Sequence, residues 1–135
     1  MNKYKVLLVD EEETCCMLKK IMERDNYEIN AAQNPIDALE KVKNEKYHIV
    51  LVDIDRPEMD GIELLKRIKE YDALTQVIMT ARHSTMEKVL GSLEYGANDY
   101  IHKPFKSEEE IKKVIDCSVQ KLERWREAII QLVNN

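Results

Sequence analysis

The residues of this 135-residue chain whose types and settings suit chemistry are Asp10, Glu11, Asp53, Thr80 and Lys103. Each comes where an apolar run gives out. Val6 to Val9 ends in Asp10 and Glu11, Ile49 to Val52 delivers Asp53, Gln76 to Ala81 carries Thr80, and Asp99 to Lys103 closes at Pro104. Continuous apolar runs of this length read as buried parallel strands, and an open α/β sheet binds its ligands at the carboxyl ends of its strands. Carboxylates gathered at such an edge repel one another unless a cation joins them. Hard oxygen ligands with room for water suit Mg²⁺, which then awaits a phosphoryl oxygen. Taken singly, Asp53 reads equally well as the cap of the turn that follows, and Lys103 as a solvated strand-end lysine. It is the set that points to chemistry.

The elements that must position this set follow from the hydrophobic spacing. Thr14 to Arg24 carries Leu18, Ile21 and Met22 at helical intervals, and Tyr27 to Ala32 is a second strand. Asn34 and Pro35 open a helix through about Asn44, with Ala38, Leu39 and Val42 inward. Asp60 caps a third helix whose buried stripe is Ile62, Leu65 and Ile68. Ser84 with Glu87, and Ser107 with Glu110, are capping-box pairs that open the fourth and fifth helices, and Gly96 ends the fourth. Strand and helix alternate five times, which predicts an α/β fold with a five-stranded parallel sheet and helices on both faces; if it takes the doubly wound, flavodoxin-like order 2-1-3-4-5, the first and third strands are neighbours and their acids sit together.

Composition narrows the partners. The net charge of −5, with both signs interspersed and no basic block, argues against direct nucleic-acid contact. The only glycines are Gly61, Gly91 and Gly96, so no glycine-rich phosphate loop exists. Cys15, Cys16 and Cys117 lack metal-ligand spacing and read as reduced packing residues, and His48, His83 and His102 as incidental. No apolar run approaches the roughly 18 residues needed to span a bilayer, and the N-terminus leads straight into a strand. The expectation is a cytoplasmic protein without membrane contact.

The segments VLLVDEE, LVDIDRPEMDG, VIMTA and DYIHKPF, in this order and spacing, resemble a response-regulator receiver domain of two-component signalling, similar to the chemotaxis regulator, over roughly residues 3 to 120. The resemblance implies that Asp53 is the phospho-acceptor of a phosphorelay. It implies that Asp10, Glu11, Asp53 and the backbone carbonyl of Asp55 hold Mg²⁺, and that Lys103 binds the phosphoryl group. It makes Thr80 the switch hydroxyl, Tyr100 the aromatic that reorients with it, and Lys103–Pro104 a cis pair. It implies a sensor histidine kinase or phosphotransfer protein as partner, and a switched surface on the fourth helix, fifth strand and fifth helix. Such a protein is no enzyme beyond its own phosphorylation and dephosphorylation. A second resemblance, of Asp53-Ile54-Asp55 to the Asp-x-Asp start of haloacid-dehalogenase phosphatases, lacks that family's late acidic pair and first-strand placement. A third reading, a pseudo-receiver working without phosphorylation, has only the departures below to support it.

Those departures are Glu11, where aspartate is commoner, and Arg56, where methionine usually precedes the proline. Asp55 and Arg82 stand two residues beyond the acceptor and the switch threonine, the pair that tunes phosphoryl lifetime in the family. Their opposite charges predict an ion pair across the site mouth. Beyond the receiver (1–120), residues 121–135 extend the last helix. Ile111, Ile115, Ser118, Leu122, Trp125, Ile129 and Leu132 recur at alternating four and three, a heptad seam. A helix from Glu108 to Val133 would run about 39 Å, and Leu122, Trp125, Ile129 and Leu132 would need a partner. The expectation is a parallel homodimer or a helix leading to an output domain. The alternative is a helix that bends back onto its own domain.

Overall fold

A computed structural model describes residues 4–58 and 60–134, so Met59 of the central motif lies outside the described residues. The elements are β1 Tyr4–Val9, α1 Glu12–Glu23, β2 Tyr27–Ala32, α2 Pro35–Asn44, β3 Ile49–Asp53, α3 Gly61–Tyr71, β4 Gln76–Ala81, α4 Met86–Glu94, β5 Asp99–His102 and α5 Glu108–Val133. All four strand pairings are parallel, in the order β2-β1-β3-β4-β5. The expected flavodoxin-like architecture is the observed one.

Alternation along the strands builds two cores. Val6 and Leu8 of β1 join Leu51, Ile78 and Ile101 against Leu18 and Met22 of α1 and Ile111 and Ile115 of α5. Leu7 and Val9 face the other way, with Val50, Val52, Val77 and Met79, against Ala38 and Leu39 of α2 and Leu64, Leu65 and Ile68 of α3. Both faces of the sheet are therefore dry, which is why the central strands carry apolar residues throughout.

The helix starts follow local chemistry. Asn34 Oδ1 accepts from the Asp37 N–H at 2.8 Å, with Pro35 at the first helical position. Asp60 Oδ1 accepts from the Ile62 N–H at 2.9 Å. Gly61 then packs so closely that a Cβ there would sit 2.8 Å from the Ile54 Cα, which fixes α3 beside the strand that ends in Asp53.

Three local expectations are corrected. The buried stripe of α3 is Gly61, Leu64, Leu65 and Ile68; Leu65 and Ile68 are as predicted, and Leu64 is buried where Ile62 was expected. Ile62 is half-buried, and its Cδ1 lies 2.7 Å from where a Cβ on Gly91 of α4 would stand, so it serves the contact between helices. The cap of α4 is Thr85, whose Oγ1 accepts from the Lys88 N–H at 3.2 Å; Ser84 is held elsewhere by tertiary bonds. Strand β5 ends at His102, leaving Lys103 as the first residue past the sheet.

Helix α5 is continuous through residue 120 to Val133 and does not bend back. Ile111, Ile115, Ser118 and Leu122 are buried against the domain, so Leu122, expected to need an outside partner, has its partner in its own core, whereas Trp125 is 61% exposed and Leu132 is 79% exposed. The Tyr4 hydroxyl donates to Glu123 Oε1 at 2.9 Å, and Arg126 pairs with the same carboxylate at 3.0 Å, so the last anchor of α5 sits just beyond Leu122.

Candidate functional site

Register brings the predicted residues to one edge. Val9 pairs with Val52, Asp53 with Thr80, and Ala81 with His102, so Asp10, Asp53, Thr80 and Lys103 emerge together at the carboxyl ends of β1, β3, β4 and β5. All four are buried. Lys103 Nζ donates to Asp10 Oδ2 at 2.6 Å and stands 3.5 Å from Asp53 Oδ2. The Asp53 Oδ1 accepts from the Asp55 N–H at 3.0 Å, and Asp10 Oδ1 from the Glu11 N–H at 2.7 Å. Thr80 donates its hydroxyl to the Val52 carbonyl at 3.4 Å. Lys103–Pro104 is a cis peptide bond, as expected.

Electrostatics at this edge is unbalanced. Burial pushes the Asp10 carboxyl above its ordinary value and the neighbouring Asp53 adds to this, while Lys103 and the Glu11 N–H oppose it. Burial likewise pushes the nearby Cys15 thiol up to about 11, which keeps it protonated and inert at neutral pH. Two buried carboxylates face one ammonium. That donor set fits a divalent cation, which would balance the surplus negative charge.

The predicted acidic triad is only two-thirds assembled. Glu11 is the N-cap residue of α1 and its side chain is exposed, so among the described residues no three acidic, histidine or cysteine side chains converge tightly enough to hold a metal. Its backbone is fixed by Asp10, which leaves the longer glutamate side chain on the rim.

The predicted ion pair between Asp55 and Arg82 does not form. Asp55 Oδ2 accepts instead from the backbone N–H groups of Arg82 at 2.9 Å and His83 at 3.3 Å, and Oδ1 binds Lys88 Nζ at 2.8 Å. Burial pushes the Asp55 carboxyl up, but Lys88 and the two N–H groups outweigh it and hold the group below the usual carboxylate range. With one oxygen held by two main-chain donors and the other by Lys88, the carboxylate is already occupied without the Arg82 guanidinium. Arg56 turns toward α2, donating to the Gln33 carbonyl at 2.7 Å and lying 3.6 Å from Glu58. It thereby ties two site loops together.

Tyr100 is half-buried, and its hydroxyl donates to Ser84 Oγ at 3.0 Å; the same Oγ lies 2.9 Å from His102 Nδ1. Ser84 and Lys88 are the two residues of the site that sequence reasoning missed. A signal for Lys88 was present: it is a cation in the first turn of a helix, where the dipole disfavours one.

Residues 6–116 match the family model of the response regulator receiver domain. The chain belongs to this family. The receiver is 38% identical over 111 residues to the transcriptional regulatory protein CpxR homolog of Haemophilus influenzae, covering 82% of this chain and 48% of that protein. It is 34% identical over 113 residues to the chemotaxis protein CheY of Bacillus subtilis, covering 82% of this chain and 94% of that one. Among solved structures it is similar to a CheY-like receiver domain protein of Methanospirillum hungatei, with a TM-score of 0.87 and 28% identity over 91% of this chain and 98% of the other. The receiver spans about half the length of the first curated relatives it matches. Two-component signal transduction is therefore its setting. Its family typically uses Mg²⁺ and is not one of classical enzymes. Among the described residues no helix of this receiver is long and apolar enough to cross a membrane.

Proposed function

We propose that Asp53 accepts a phosphoryl group from a sensor histidine kinase or phosphotransfer protein, in a cytoplasmic phosphorelay. The observation that carries this reading is the pair of buried carboxylates, Asp10 and Asp53, sharing the single ammonium of Lys103. A carboxylate oxygen of Asp53 attacks phosphorus in line, forming a P–O bond as the bond to the donor's imidazole nitrogen breaks, and the freed imidazole takes its proton from solvent. Lys103, already 3.5 Å from Asp53, neutralises charge on the phosphoryl oxygens. Asp10, Asp53, the Asp55 carbonyl and Glu11, once turned inward, would hold Mg²⁺, which supplies further positive charge to those oxygens. The acyl phosphate then offers new acceptor oxygens beside Thr80, and its hydroxyl leaves Val52 for them. Loop residue Ser84 carries that movement to Tyr100, and the surface of α4, β5 and α5 changes.

The test is intact mass after incubation with acetyl phosphate and Mg²⁺. The wild type gains one phosphoryl group and Asp53→Ala none. No gain by the wild type, or an equal gain by the variant, overturns the reading.

Residues 121–133 act, in this reading, as a helix that pairs with a second copy through Trp125, Ile129 and Leu132, and Asn135 lies outside the described residues. The seam supports pairing, but its length tempers it. Leu122 is already buried in its own domain, so the seam left for pairing is the short one from Trp125 to Leu132, which makes a weak dimer. Mass measured by light scattering is expected to rise with concentration. A monomer at every concentration removes the dimer.

A further inference from the structure

The ammonium of Lys88 is fixed at the end of α4 where helix dipole and charge oppose it. It donates to Asp55 Oδ1 at 2.8 Å and to the His83 carbonyl at 2.7 Å. The other oxygen of that carboxylate holds the N–H groups of Arg82 and His83. The N–H of Asp55 in turn donates to Asp53 Oδ1. A short path of hydrogen bonds and one residue of backbone therefore leads from the acceptor carboxylate to the first turn of α4. It avoids Thr80 and Tyr100 altogether. In the same arrangement the Thr80 hydroxyl rests on Val52, so these contacts belong to the resting form.

We propose that Lys88 is a positioning residue that acts through Asp55, latching the loop between β4 and α4 in its resting arrangement until phosphorylation of Asp53 redraws the contacts. This rests on the phosphoryl-acceptor reading above. The side chains of Lys88 and Asp55 are 30% and 21% exposed, so water weakens the pair enough for a covalent change next door to break it. A fully buried pair would be too costly to open. Of the cations near Asp55, Lys88 alone among the described residues makes a side-chain ion pair with it, so the latch has one removable part.

The experiment uses the full chain with Lys88→Gln and Lys88→Arg. In the unphosphorylated protein, amide hydrogen exchange at Arg82 and His83 is expected to quicken about three- to fivefold in Lys88→Gln and to return toward wild type in Lys88→Arg. With Mg²⁺, beryllofluoride is expected to bind Lys88→Gln roughly three- to fivefold tighter than wild type, because the resting form has lost its latch. Unchanged exchange at both amides overturns the latch whatever the phosphoryl chemistry does. Faster exchange with unchanged beryllofluoride affinity overturns its coupling to Asp53. A wild type that binds no beryllofluoride refutes the phosphoryl-acceptor reading, and with it the role assigned to Lys88, while the exchange data still report the contact.

Discussion

Asp10→Asn melts a few degrees higher than the wild type at pH 7 without divalent metal. The Asp10 carboxyl is raised above its ordinary value of 3.8 by burial. A carboxyl raised in the folded state favours folding at acid pH, with that contribution complete below 3.8 and lost as pH climbs through the folded value. At pH 7 the whole cost of the buried charge is in force, and asparagine, being neutral, escapes it. Loss of the 2.6 Å contact to Lys103 is offset in part because the ammonium keeps Asp53 within 3.5 Å. The advantage of the variant should shrink as pH falls toward 4 and reverse when Mg²⁺ is added, since only the wild type gains from the ion. Thermal melts followed by circular dichroism at several pH values, with and without Mg²⁺, check this. A variant that melts lower than wild type at pH 7 without metal would contradict it.

Removing the cation acts in the opposite direction. Lys103→Met leaves Asp10 and Asp53 buried with no counter-charge, and the expected loss is about 3 kcal/mol in urea unfolding at pH 7. Because Lys103 touches both acids, the two substitutions should not add. Combining Lys103→Met with Asp10→Asn is expected to recover more than half of that loss, since a single buried carboxylate remains. Additive behaviour would mean that the charge of Lys103 is not coupled to that of Asp10. Taken with the first result, the site is a place where stability is given up for a charge arrangement that can bind.

Much of this arrangement was legible in the sequence because it is carried by local rules. Asn34-Pro35, the apolar run ending at Asp53, and Ser107 before three glutamates each determine one element boundary through backbone chemistry alone. The failures share one physical cause, which is competition among neighbours that only the tertiary fold can settle. Ser84 and Thr85 are both good caps, and the choice fell to Thr85 because Tyr100 and His102 claim Ser84. Opposite charge made Arg82 the obvious partner for Asp55, yet two backbone N–H groups and Lys88 filled its oxygens. Glu11 sits where the motif puts a metal ligand, but its side chain faces solvent. In α3 one position of the stripe was misassigned, since Ile62 and Leu64 are both apolar and only the proximity of Gly91 tells which meets α4.

Helix α5 has its last firm contacts at Leu122 and at the Tyr4–Glu123–Arg126 cluster, and eleven further residues, 123–133, continue in one unbroken hydrogen-bonded rod. Those residues reach about 16 Å past the anchor at 1.5 Å each, whereas the loop that carries Lys103 lies at the opposite end of the same rod. The geometry is that of a lever whose fulcrum is near Leu122. A tilt of about 10° would carry the Val133 end by roughly 3 Å, comparable to a side-chain diameter, with no helical bond broken. The arm on the Lys103 side is the longer of the two and is packed through Ile111 and Ile115, so movement at that end reaches Val133 only together with a shift of those core contacts.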